Sequence, residues 1–239
     1  VDEEECGSSR ADDGRETPTG PATADAATAP GLVLAKSDDN VADGDFVSLT
    51  RKHNTLYAVA DADAAHGWIA SATIEEASIR NLVRMIPTVK TSATAHPSCV
   101  RISPERLYLV VSQMGSAGEA TDSRLLFYGL DGKILNQFDV PLADMIAFAY
   151  SPQLQHLFAL DFNFANPQGG GLYKVIGEGD GCRVKLITKL DRPTSLVFDE
   201  HGNLYVTTLG PANDDVDVPG GQLLLIRGLD DRVPVSADD

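Results

Sequence analysis

The sequence predicts an all-β fold, a β-propeller of four-stranded antiparallel blades, and three observations carry that prediction. A Leu-aromatic pair opens a β-rich run four times, at Leu56-Tyr57, Leu107-Tyr108, Leu157-Phe158 and Leu204-Tyr205, with spacings of 51, 50 and 47 residues. Turn-forming residues precede the pairs: Ser103-Pro104-Glu105 and Ser151-Pro152-Gln153 match each other, and Asp199 to Asn203 fills the same slot. Finally, the last unit lacks a fourth strand, while an apolar strand, Leu32 to Ala35, stands alone ahead of the first. Units that repeat at such a period cannot bury their faces alone and must stack.

The stretch Arg192 to Gly210 shows the unit most cleanly: an apolar run to Phe198, a polar Gly/Asn turn, and a second run rich in β-branched residues. First strands are expected at Phe46 to Leu49, Cys99 to Ile102, Met145 to Tyr150 and Ser195 to Phe198. The landmark strands come second. Third strands fall at Trp68 to Thr73, Leu125 to Tyr128, Leu172 to Val175 and Leu223 to Ile226, and fourth strands at Ile79 to Met85, Leu135 to Val140 and Val184 to Leu190. Four blades are thus countable, with the strand at Leu32 closing the last one and removing two sheet edges at once. Further blades hidden in altered segments, or an open ring completed by another chain, are the alternatives.

Residues 1–30 read as an acidic low-complexity tail, 31–232 as the propeller and 233–239 as a C-terminal tail. The first tail carries too few large apolar side chains to offset its own ordering entropy, so it packs along its own domain or another surface holds it, a partner being the favoured expectation. The chain has 19 basic and 35 acidic residues, a formal charge of −16. That excludes nucleic acid as a favoured partner and points to one with a basic or polar surface. No apolar run is long enough for a membrane helix. The three cysteines, Cys6, Cys99 and Cys182, have no metal-ligand spacing and allow one internal disulfide at most. An extracytoplasmic location is expected.

The blade consensus, Pro-x-x-Leu-x-Phe-x-x-x-Gly-Asn-Leu-Tyr-Val in its best copy at Pro193 to Val206, resembles that of NHL-type propellers and of the gluconolactonase and senescence-marker calcium-binding family. The resemblance implies a propeller and, for the lactonase branch, carboxylates and amides converging on the central channel around a divalent metal. The matching places read Pro97-Ser98-Cys99, Ala143-Asp144-Met145 and Pro193-Thr194-Ser195, where only Asp144 is a ligand type.

Long second-to-third loops and the connections between blades emerge on one face of the disc, and loops on a rigid scaffold are where binding resides. The interaction-face candidates there are Asp61, Asp63, Glu119, Asp122, Asp161, Asn163, Asp214, Asp215 and Asp217, with His66 and Arg124 as opposing charge. Asn213, Asp214, Asp215 and Asp217 are the one candidate calcium loop, although they lack the distal bidentate Glu. No Gly-x-Ser-x-Gly elbow is present. The five histidines fall in or near turns, where exposure is expected, and Gly169-Gly170-Gly171 enters a strand and lacks the Lys of a phosphate cradle. No cofactor and no catalytic residue is assigned. The expected function is a non-catalytic scaffold propeller, an accessory subunit docking through its acidic face and tail. A metal-dependent lactonase or esterase and a small-molecule sensor are the alternatives.

Overall fold

The computed structural model describes residues 45–62, 66–75, 78–89, 96–116, 118, 120–210 and 220–230. The expected strand at Leu32 to Ala35, both tails, Cys6, Asp63, Glu119 and the candidate calcium loop lie outside them. Four antiparallel sheets form four successive blades of a β-propeller, with no α-helix among the described residues. Blade 1 is β1 (Asp45–Lys52), β2 (Thr55–Asp61), β3 (His66–Glu75) and β4 (Ser78–Val89). Blade 2 is β5 (Pro97–Ile102), β6 (Tyr108–Gln113), β7 (Ser123–Gly129) and β8 (Ile134–Val140). Blade 3 is β9 (Met145–Tyr150), β10 (Leu157–Asp161), β11 (Gly171–Glu178) and β12 (Gly181–Lys189). Blade 4 shows β13 (Pro193–Phe198), β14 (Leu204–Thr208) and β15 (Gln222–Ile226). In every blade the strands pair in chain order. First strands touch one another, β1 with β5, β5 with β9 and β9 with β13, which places them on the inside.

Period-two alternation gives each blade a front, toward the next blade in chain order, and a back. Tyr57, Val59 and Ile69 on the front of blade 1 share a core with Val100, Leu109 and Val111 on the back of blade 2. Val110 and Leu125 on the front of blade 2 pack with Phe148 and Ala159 of blade 3. Phe158, Leu160 and Leu172 pack with Leu196, Leu204 and Val206 of blade 4. Each fully buried side chain of this size contributes about 1.5–3 kcal/mol, so these three seams hold the described blades together. The landmark aromatic is always a front residue: Tyr57 and Phe158 lie in the first and third cores, and Tyr108 lines the second.

Two further features repeat. A one-residue β-bulge interrupts every first strand at the same place, at Val47, Ser98, Ile146 and Thr194. The hairpin after each first strand turns through a left-handed residue, His53, Arg106, Gln155 or Gly202. The matched turn residues cap these hairpins. Ser103 Oγ accepts from the Leu107 and Tyr108 N–H groups, Ser151 Oγ from the His156 N–H, and Asp199 Oδ1 from the His201 and Asn203 N–H groups.

Several expectations are corrected. Leu107 does not open its strand; it sits in the turn, 68% exposed, because β6 starts at Tyr108. Trp68 is the third residue of β3, not its first. The fourth strand of blade 1 extends to Val89, well past Met85. His96 and His156 are half-buried: the first meets a carboxylate at a blade junction, and the second lies beside Lys174, its Nδ1 3.0 Å from the ammonium. Burial and then the Lys174 charge lower the His156 pKa.

Candidate functional site

The long-loop face is built where β2, β6, β10 and β14 end and where the blade connections pass. The described parts of its loops are residues 62, 114–116, 118, 120–122, 162–170, 209–210 and 220–221. Its carboxylates prove to be anchors for backbone. Asp161, at the end of β10, is buried and receives the N–H groups of Ala143 (3.3 Å) and Asp144 (2.8 Å) from the connection between blades 2 and 3. Asp144, also buried, returns the contact by accepting the Phe164 N–H at 2.7 Å, while its carbonyl accepts from Phe162. Ser123 completes the clamp, donating to the Ala143 carbonyl and accepting from the Met145 N–H. Burial raises the pKa of both carboxyls. For Asp144 the Phe164 N–H opposes this and the Asp122 charge adds to it; for Asp161 the N–H groups of Asp144 and Ala143 offset part of the rise.

The other expected residues are engaged in the same way. Asp122 folds its own loop by accepting from the N–H and the hydroxyl of Ser116, both at 2.8 Å. Asp61 lies 2.6 Å from His96 Nδ1, joining the end of β2 to the connection into blade 2. Asn163 adopts a left-handed φ of 55° and caps the Asn166 N–H. Arg124 points to Asp139 of the neighbouring strand at 2.8 Å, and His66 is the first residue of β3. Among the described residues no three His, Cys, Asp or Glu side chains gather in a form that could hold a metal. Asp144, the single ligand type at the lactonase-like places, spends one carboxylate oxygen on backbone. Cys99 and Cys182 are unpaired thiols: Cys99 is buried against the Phe148 carbonyl, and Cys182 donates to the Asp139 carbonyl.

What this clamp presents outward is an aromatic ring. Phe164 is 57% exposed, stacks on buried Phe162 with centroids 4.2 Å apart, and has its N–H fixed by Asp144. Leu209 lies exposed after β14, its N–H bound to the Arg192 carbonyl, and Arg192 reaches the Gly210 carbonyl and the Asp191 carboxylate. Sequence reasoning missed Phe164, His96 and Arg192. The signal for the first was present in Asp161-Phe162-Asn163-Phe164, two aromatics in a loop that otherwise reads as polar turn.

No helix of the described residues is long and apolar enough to cross a membrane. No protein-family model matches the chain, and no curated protein matches it. Solved structures do. An exo-β-1,3-galactanase from Phanerochaete chrysosporium is 10% identical with a TM-score of 0.54, over 83% of this chain and 51% of that one. A gluconolactonase from Xanthomonas campestris is 13% identical with a TM-score of 0.48, over 82% of this chain and 61% of that one. A protein of unknown function from Bacteroides caccae is 11% identical with a TM-score of 0.46, over 69% of this chain and 53% of that one. The chain thus spans a little over half the length of these structures. At such identities the likeness concerns the fold, and the fold is a β-propeller.

Proposed function

We propose that this chain is a non-catalytic docking propeller whose partner binds the long-loop face, with Phe164 as the anchor. The observation that supports the reading is the division of labour on that face. Its buried carboxylates are consumed in holding the blade connection and the loop, and the group they hold out to solvent is an apolar ring. A pre-ordered aromatic costs little entropy on binding and is the side-chain type that concentrates binding energy at protein interfaces. On the same long-loop face Asp61, Asp122 and Asp191 add carboxylates, which suit a partner with a basic or polar surface and set orientation and association rate more than affinity. Exported or luminal partners fit the extracytoplasmic reading.

The test is quantitative affinity capture from the source organism with the immobilised full chain. Wild type is compared with Phe164→Asp and with an exposed control, Leu135→Asp, on the outer strand of blade 2. A protein retained by wild type and the control but lost with Phe164→Asp supports the reading. Identical retention by all three refutes it.

A further inference from the structure

The three seams between blades obey a common rule, and the front of blade 4 and the back of blade 1 carry the two halves of a fourth. Among the described residues no core cluster joins them. The front of blade 4 shows two cross-strand rows, Ser195-Thr207-Leu223 and Val197-Tyr205-Leu225. In them Val197 is 60% and Leu223 72% exposed. Tyr205 occupies the landmark position that fills or lines the seam in blades 1 to 3. The back of blade 1 shows Leu49, 62% exposed, beside Ala58, and Leu56 beside Ala72. These four, with Phe46, Leu82, Ser48 and the Arg101 side chain of blade 2, line a groove of about 510 Å³, in which Ala72 and the neighbouring Ala70 are already buried.

Two of the three seams also carry a polar contact near the bulge, each of a different kind. At the seam between blades 2 and 3, the bulge residue Ser98 meets the Ser112 hydroxyl across its own hairpin and donates at 2.6 Å to the carbonyl of Met145, the residue before the next blade's bulge. At the seam between blades 1 and 2, Ser48, just after the bulge, accepts the N–H of Val100, two residues past the next bulge. Blade 4 repeats both side chains. Thr194 is its bulge residue, meeting the Thr207 hydroxyl as Ser98 meets Ser112, and Ser195 follows it. On blade 1 the matching backbone groups are the Phe46 carbonyl and the Leu49 N–H. Charge agrees at the hairpin end of the disc: Glu200 is exposed on the first hairpin of blade 4, and Arg51 is exposed on that of blade 1, on the back-face side with Leu56.

We propose that the occupant of each face is a second copy of this chain, the front of blade 4 in one copy seating on the back of blade 1 in the other. Two such contacts related by a twofold axis close a ring of eight blades, within the range propellers adopt. Thr194 of one copy then donates to the Phe46 carbonyl of the other, and Ser195 accepts from Leu49. The apolar rows cover the groove, and Arg51 meets Glu200. This assembly uses the sides of the terminal blades, not the long-loop face, so it stands apart from the partner reading.

Light scattering on the full chain at micromolar concentration and physiological salt tests it. The expected mass is twice the 25.4 kDa of one chain. Leu223→Asp and Leu49→Asp alter exposed side chains, and each variant alone is expected to give the single-chain mass with unchanged circular dichroism. An equimolar mixture of the two is expected to regain the two-copy mass, because it restores one intact contact. A wild-type mass of one chain overturns the proposal. So does either variant remaining paired by itself, which would mean that copies meet through like faces. Phe164→Asp is expected to leave the mass unchanged, so loss of partner capture and loss of self-association are separable.

Discussion

Replacing Asp230 tests how the hairpin ends of blades 3 and 4 are tied together. Asp230 follows β15, is 1% exposed, and accepts the Gln153 N–H at 2.7 Å and the Leu154 N–H at 2.8 Å from the first hairpin of blade 3. It also lies against the turn of blade 4, where a Cβ on Gly202 would come within 2.8 Å of its own Cβ. Asp230→Ala leaves two backbone donors without an acceptor. At about 1–3 kcal/mol each, less the relief of removing a buried charge, the net loss is about 2–4 kcal/mol. For a domain of this size that is a fall in Tm of roughly 5–15 °C. Asp230→Asn keeps one acceptor and is expected to lose about half as much. The carboxyl also carries a pH signature. Burial pulls its pKa up, but hydrogen bonds from the Ser151 hydroxyl and the Leu154 and Gln153 N–H groups, with the His156 charge, leave it below the usual value of 3.8. A depressed carboxyl stabilises the fold above its unfolded pKa and loses that contribution as pH falls through the folded one. Urea unfolding of wild type and Asp230→Ala should therefore show a gap that is full at neutral pH and narrows below about pH 4. A neutral-pH difference under about 0.5 kcal/mol, within the range of ordinary surface substitutions, would refute the tie.

The left-handed hairpin position gives opposite outcomes in different blades. Arg106→Gly and Gln155→Gly relieve a strain of about 1–2 kcal/mol against an entropic cost of about 0.5–1, so each should raise stability by up to about 1 kcal/mol in denaturant titrations. Gly202→Ala, at a φ of 82° and pressed against Asp230, should lower it by about 1–3 kcal/mol by the same measurement. Burial raises the Asp144 pKa, so its contribution to stability is largest below pH 3.8 and is lost as pH rises through the folded value. Asp144→Asn keeps an acceptor for the Phe164 N–H and removes that loss; its stability relative to wild type should improve from pH 4 to pH 7 in parallel thermal scans, and an unchanged difference would count against the buried-charge account.

The blades were legible because the landmark aromatic has one job, to turn toward the next blade, and a job repeated four times leaves a period in the sequence. The match between Ser103, Ser151 and Asp199 was legible for the same reason, since any short oxygen acceptor caps that hairpin. The role of the acids was not. A carboxylate that rims a loop and one that clamps backbone at a blade junction both read as Asp beside a turn. What separates Asp161 from a solvated acid is the approach of Ala143 and Asp144, nearly twenty residues away in sequence, and no local pattern encodes it. His96 was hidden likewise, because its partner Asp61 belongs to the preceding blade. Leu107 misled in the other direction: the repeat placed it in a strand, but it stands closer to its cap Ser103 than Leu157 does to Ser151 or Leu204 to Asp199, so the turn still holds it and leaves it in solvent.

The bulge residues offer a comparison in which one chemical change is made at two equivalent places. Ser98 sits at a seam that is filled, where its hydroxyl joins Ser112 and the Met145 carbonyl; Ser98→Ala removes both contacts and should cost the folded chain about 1 kcal/mol. Thr194 holds the same position in blade 4, meets Thr207 within its own hairpin, and is half-buried. Thr194→Val, which keeps the branched shape and deletes a hydroxyl whose one partner is the exposed Thr207, should leave the stability of the single chain within about 0.5 kcal/mol of wild type. If the front of blade 4 seats on a second copy, that change should instead weaken self-association by several fold in sedimentation or light-scattering titrations, because the Phe46 carbonyl then loses its donor. Two substitutions of the same kind would then divide between folding and assembly according to whether a next blade is already present in the same chain. If both changes act on folding alone, Thr194 is an ordinary hairpin residue and its likeness to Ser98 reflects the common ancestry of the blades.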